Sequence, residues 1–152
     1  MKALVQRVEK ANLKVDNLLI SEISKGLVCY LGIGKGDNET DLKWLSKKVA
    51  GLRVFPDKQG KMNLSVLDLN LDILVVSQFT LYGNVRKGFR PSFIDAELPD
   101  IANTMYEKFC DELVTLGVKK VAKGVFGADM HICQENSGPV TIMIDTKEKK
   151  LE

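Results

Sequence analysis

The residues with chemistry to offer stand in three short stretches. The first is Ser77-Gln78-Phe79-Thr80, which closes the apolar run LDILVV. If the strand's period of two continues through it, Gln78 and Thr80 share one face, with Ser77 and Phe79 on the other. Three hydrogen-bonding side chains at a strand end can orient a carbonyl group, or they can be a strand turning polar as it leaves the core. The second stretch is RKGFRPSF, where Arg86, Lys87 and Arg90 alternate with Phe89 and Phe93. Cations that meet phosphates beside rings that stack are how single-stranded nucleic-acid ends are gripped, although a solvated loop has the same composition. The third is Gly138-Pro139, in the middle of the strand-like CQENSGPVTIMID. Pro cannot donate to a ladder and Gly weakens a strand interior, so the pair needs another purpose.

Other catalytic groupings find no support. His131 is the single histidine, so no second histidine can join it on a metal; it reads as an ordinary structural or surface residue. There is no G-x-S-x-G nucleophile turn. GIGKG at 32–36 lacks the spacing and the Lys-Ser/Thr of a phosphate loop, and a glycine turn after a strand explains it better.

The elements that must position these residues follow from periodicity. ALVQRVEKANLKV and LLISEI read as a hairpin turning at Asp16-Asn17, and the apolar GLVCYLGIG reads as a central strand. Asn38 and Asp41 are placed to cap a helix with Leu42, Leu45, Val49 and Leu52 on one face. LRVFPD reads as a short strand stopped by Pro56, and DKQGKMNLS as loop. LDILVVSQFTLYG is the most strand-like segment, ending at Gly83. The loop NVRKGFRPSFIDAELPD is long enough to suggest function. Pro99 opens a second helix carrying Ile101, Met105, Phe109, Leu113 and Leu116, and Gly117 ends it. Two main helices among seven or eight strands, without regular alternation, predict an α+β fold with an antiparallel or mixed sheet curled into a barrel-like core.

A chain of 152 residues suits a single domain spanning 1–152, with 147–152 a solvated tail. The net charge of +2 is too small to mark a nucleic-acid binder by composition, so a polyanion would need a local patch. Cys29, Cys110 and Cys133 contain no CxxC pair and read as buried, reduced thiols of a cytosolic protein. The opening MKALVQRVEK is charged too early for a signal peptide, and no apolar run spans a membrane. A cytoplasmic location is the expectation.

SQFTLYG and NSGPVT, in this order, with ALVQRV, FPDKQGKMNLSV, RKGFRPSF and FGADM around them, resemble the D-aminoacyl-tRNA deacylase family over essentially the whole chain. Ser137 fills a variable slot of the second motif. The resemblance implies a cytoplasmic homodimer of barrel-like subunits that binds tRNA. It implies hydrolysis of the ester joining a D-amino acid to the tRNA 3′ end, which is chiral proofreading in translation. No metal or organic cofactor is implied. Ser77, Gln78, Phe79 and Thr80 would line the scissile ester, with Phe79 acting through its backbone N–H. Gly138 and Pro139, joined by a cis peptide, would screen chirality in the partner subunit's site. Met130 and Arg7 would support the pocket, and Arg86, Lys87 and Arg90 would meet tRNA. Thr80 is one candidate nucleophile, without a visible base; water assisted by the terminal ribose 2′-OH is the preferred one. Two rival readings are a non-catalytic nucleic-acid-binding module and a hydrolase of another aminoacyl ester or amide.

Overall fold

In a computed structural model of the protein, residues 1–149 are described. β1 (Lys2–Val15) and β2 (Leu18–Ile23) form the expected hairpin. The tight turn between them needs left-handed backbone, and Asp16 (φ 49°) and Asn17 (φ 62°) tolerate it without glycine. β2 and then β3 (Gly26–Gly32) follow one edge of β1. β8 (His131–Asp145) runs antiparallel along the other edge, from Lys2↔Asp145 to Lys14↔His131. Beyond β3 the pairing is parallel, with β6 (Asp72–Ser77) and then β7 (Lys120–Lys123). Lys120 Nζ donates to the Glu22 carbonyl at 2.6 Å, so β7 returns to β2 and the mixed sheet nearly closes into a barrel.

The continuous apolar runs of β3 and β6 are explained by burial on both faces. Leu27, Cys29, Leu31, Ile73 and Val75 face the helices; Val28, Leu74 and Val76 face the barrel interior with Val8 and Leu13. α1 (Glu39–Ala50) starts at the expected capping box, the Asn38 side chain accepting from Asp41 N–H and the Asp41 carboxylate from Asn38 N–H. After the four-residue α2 (Val66–Leu69), α3 (Pro99–Thr115) carries Pro at its first turn and buries Met105, Phe109 and Leu113. Each fully buried side chain of this size contributes about 1.5–3 kcal/mol.

The sequence reading needs correction at four places. LDILVVSQFTLYG is not one strand: β6 stops at Ser77, and Phe79–Tyr82 is a 3₁₀ turn. DKQGKMNLS is not all loop: within it β5 (Met62–Leu64) pairs with β4 (Phe55–Pro56), the short strand that ends at Pro56 as expected. Cys133 is exposed, unlike Cys29 and Cys110. The tail does not begin free at 147: Thr146–Glu148 forms a 3₁₀ turn with Thr146 buried, and Lys149 Nζ meets Asp41 at 2.5 Å. Its last residues, 150–152, lie outside the described residues.

Candidate active site

β6 delivers Ser77 to the mouth of a cavity of about 640 Å³. Beyond Ser77 the backbone winds into the 3₁₀ turn, which carries Phe79 against the edge of the Phe93 ring, 5.1 Å between centroids. Ser77, Gln78, Phe79 and Met130 all line the cavity, with Phe93 and Phe126 among its apolar walls and Lys35 and Glu97 as its charged members. Phe93 and Phe126 were not singled out as lining residues from sequence. They stand inside RKGFRPSF and FGADM, and an apolar residue in a loop was the signal available.

Thr80 lies outside this lining but is tied to it, because Gln78 Nε2 donates to Thr80 Oγ1. The pairing of Gln78 with Thr80 therefore persists although the strand does not. The arrangement uses one lone pair of the hydroxyl and leaves its O–H free to donate. The N–H groups of Phe79 and Thr80 open the turn and take no acceptor among the described residues. Two such donors side by side are suited to an oxyanion. Neither a histidine nor a cysteine is among the described residues that line the cavity. His131 is exposed on β8 beside Asp129, at 3.6 Å. Burial pushes the Cys110 thiol up to about 12, and burial together with Cys110 raises Cys29 further, so neither thiol is a nucleophile near neutral pH.

Gly138, Pro139 and Arg7 form a second cluster. The Gly138–Pro139 peptide is cis, as the resemblance implied. Arg7 Nε donates to the Ser137 carbonyl at 3.2 Å and Nη1 to the Val54 carbonyl at 2.6 Å. Gly138 has φ 117°, and a Cβ there would stand 2.8 Å from Arg7 Nη2. None of the three residues lines the cavity. Arg7 pairs with Leu27 and Ser77 with Leu31, so along the sheet the two clusters sit four residues apart, roughly 13 Å at strand spacing. Within one chain they do not meet.

Arg86, Lys87 and Arg90 are exposed, and none joins an ion pair among the described residues. Asn84 and Ser92 exchange backbone hydrogen bonds of 2.8 and 2.9 Å, which close 85–91 into a projecting loop with Phe89 fully exposed at its tip.

A family model described as D-Tyr-tRNA(Tyr) deacylase matches residues 4–145. The chain belongs to this family. A D-aminoacyl-tRNA deacylase of Aquifex aeolicus is 51% identical over 148 residues, covering 97% of this chain and 99% of that protein. One from Flavobacterium psychrophilum is 49% identical over 150 residues, covering 99% and 100%. The solved structure of the c-Myc DNA Unwinding Element Binding Protein superposes with a TM-score of 0.91 at 39% identity, over 95% of this chain and 98% of that one. The deacylase family match thus takes in both clusters, SQFT and the Gly-Pro step. Among the described residues, no helix is long and apolar enough to cross a membrane.

Proposed function

We infer that the protein hydrolyses the ester between a D-amino acid and the 3′ end of tRNA, releasing the free D-amino acid and tRNA. The carrying observation is the family match across residues 4–145, with Ser77, Gln78 and Phe79 converging on one cavity. In this reading water attacks the ester carbonyl, and the Phe79 N–H receives the oxyanion of the tetrahedral intermediate. The ribose 2′-OH beside the ester assists the water and hands a proton to the departing 3′ oxygen. Thr80, already engaged by Gln78, donates its O–H to the substrate instead of attacking it. Ser77 orients the acyl group, and Met130 shapes the apolar wall.

The protein acts as a homodimer in the cytoplasm. The Gly138–Pro139 step of one subunit enters the cavity of the other, supported by Arg7. Fixed backbone acceptors there hold the α-ammonium so that an L side chain collides with the wall. Backbone recognition ignores side-chain identity, so many D-amino acids fit. The separation of the two clusters within one chain favours this arrangement. Arg86, Lys87 and Arg90 meet the tRNA backbone.

A second reading, nucleic-acid binding without catalysis, draws on the unpaired basic loop and on the DNA-binding description of one structural relative. A single assay separates them: release of tyrosine from D-Tyr-tRNA and L-Tyr-tRNA by the purified protein. Release from the D-substrate alone is expected. Release from neither removes the hydrolase reading, and equal release from both points to a general aminoacyl esterase.

A further inference from the structure

The segment Gly32-Ile33-Gly34, which reads in sequence as a simple turn after β3, is the seat of the Tyr82 ring. A Cβ on Gly34 would lie 2.5 Å from the ring's Cζ, and one on Gly32 would lie 3.1 Å from its Cε2. Only glycine allows the ring to lie this close, which fixes Tyr82, the last residue of the 3₁₀ turn that starts at Phe79. The phenol O–H donates to Asp37 Oδ2 at 3.2 Å, and the same oxygen accepts from the Gly34 N–H at 2.7 Å. Asp37 Oδ1 meets the α-ammonium of Met1 at 2.6 Å, with both groups buried. Burial, followed by the Asp37 carboxylate, raises the Tyr82 pKa, so the phenol keeps the proton it donates.

The same ribbon carries a second wall segment of the cavity, residues 93–97. Glu97 N–H donates to the Ile33 carbonyl and Lys35 N–H to the Asp95 carbonyl, both at 3.0 Å. Phe79, Ile33, Lys35, Ile94 and Glu97 all line the cavity, and Phe79 meets the 93–97 segment directly at the Phe93 ring. Both segments therefore hang on Gly32-Ile33-Gly34, whose Gly34 N–H is held by the Asp37 carboxylate.

We propose that Asp37 is a positioning residue for the hydrolysis, setting the 3₁₀ turn against the 93–97 wall through Tyr82 and Gly34. It touches no reacting atom. It acts by holding the Phe79 and Thr80 N–H groups where the oxyanion forms, and a displacement of the order of 1 Å there costs about 100-fold in rate. The proposal rests on the deacylase reading for its catalytic consequence, but not for its structural one.

Two variants and two readouts test it. Tyr82→Phe removes one hydroxyl and keeps the ring in its seat; Asp37→Asn removes the charge that all three partners share. Amide hydrogen exchange is followed in both variants at Leu81 and Gly83, whose N–H groups donate to the Gln78 and Thr80 carbonyls, and at Ala96 and Glu97, whose N–H groups donate to the Phe93 and Ile33 carbonyls. The expected result is faster exchange at both walls together, although the walls are separate in sequence. With D-Tyr-tRNA, kcat should fall about tenfold in Tyr82→Phe and further in Asp37→Asn, with KM little changed, as for an interaction made only in the transition state. Faster exchange confined to 34–38, or an unchanged kcat in Tyr82→Phe, would overturn the proposal. An inactive wild type would remove the deacylase reading, and the exchange pattern would still decide whether Asp37 couples the walls.

Discussion

Arg7 joins two distant segments: its Nε donates to the Ser137 carbonyl at 3.2 Å and its Nη1 to the Val54 carbonyl at 2.6 Å. The two bonds leave from separate nitrogens of the guanidinium, whereas a lysine offers all its donors from one nitrogen at the end of the chain and does not reproduce both positions. Arg7→Lys should therefore lose one of the two bonds. We expect stability to drop by about 1.5–3 kcal/mol, the usual range for a hydrogen bond to a charged group, read by urea unfolding. The preference for D-Tyr-tRNA over L-Tyr-tRNA should narrow in the same variant. Unchanged stability and selectivity would remove Arg7 from its supporting role.

Gly138 tolerates no side chain for two separate reasons. Its φ of 117° strains any L residue, and a Cβ would stand 2.8 Å from Arg7 Nη2 and 3.0 Å from Val140 Cγ2. Gly138→Ala should push the Ser137–Pro139 segment off Arg7. Activity on D-Tyr-tRNA is expected to fall at least tenfold, about the consequence of a sub-ångström misplacement at a reacting centre. Steady-state kinetics on the folded dimer measures this.

Thr80→Ala separates the two mechanisms. If the hydroxyl only donates to the substrate, the rate should fall by about 10²–10³ and remain measurable, as for loss of one oxyanion-type donor. Single-turnover reactions should show no acyl-enzyme. A D-aminoacyl-tRNA ending in 2′-deoxyadenosine, acylated on the 3′ oxygen, should be hydrolysed far more slowly than the natural ester. Its near-normal hydrolysis by the wild type would return Thr80 to the role of nucleophile.

The loop closed by Asn84 and Ser92 offers a polyanion three cations that join no ion pair among the described residues. Replacing Arg86, Lys87 and Arg90 by Gln should weaken tRNA binding. The slope of log K against log salt should flatten by about one for each phosphate that the loop no longer neutralises. Selectivity between D- and L-substrates should not change, because the loop lies outside the cavity. An unchanged salt slope, measured by fluorescence titration, would make the loop a solvated connector.

Asp41 sets a pH dependence of stability. Burial alone would raise its pKa, but hydrogen bonds from Lys149 and from the Asn38 N–H, with the Lys149 charge, lower it overall. A depressed carboxylate stabilises the fold above its unfolded value of about 3.9, and the contribution is lost as pH falls through the folded value. Asp41→Asn should cost about 1 kcal/mol near pH 7, a typical helix-cap loss. The gap to wild type should close as the pH is taken below the carboxylate range, which thermal melts at several pH values would follow.

Much of this architecture was readable from local signals. Asn38 and Asp41 are three residues apart before an apolar stripe, and the capping box forms there as spacing requires. Pro99 and Gly117 bracket α3 for reasons that reside in the residues themselves. What the sequence hid was decided by tertiary contact. β6 has the composition to continue as a strand past Ser77, but Tyr82 must reach the Gly32–Gly34 seat and the Asp37 carboxylate, and the chain coils to bring it there. For the same reason period-two geometry, which set Gln78 on the face opposite Ser77 and Phe79, did not foresee all three on one cavity, while the Gln78–Thr80 pairing survived because a tight turn also brings those side chains together. The cavity walls at Phe93 and Phe126 were hidden because their partners are distant in sequence. The Gly-Pro step was conspicuous as a local misfit, whereas its distance from SQFT became visible only in the sheet register.

The central claim is that one site is built from SQFT of one subunit and Gly138–Pro139 of the other. Subunit mixing tests it most directly. Gln78→Ala damages only the first cluster and Gly138→Ala only the second, so each homodimer should be weakly active with D-Tyr-tRNA. When the two are exchanged into mixed dimers, one site in each heterodimer receives both intact clusters. Random exchange in a two-fold dimer should then restore roughly a quarter of wild-type activity. No recovery, with exchange verified by mass spectrometry of the mixed dimers, would contradict a shared site.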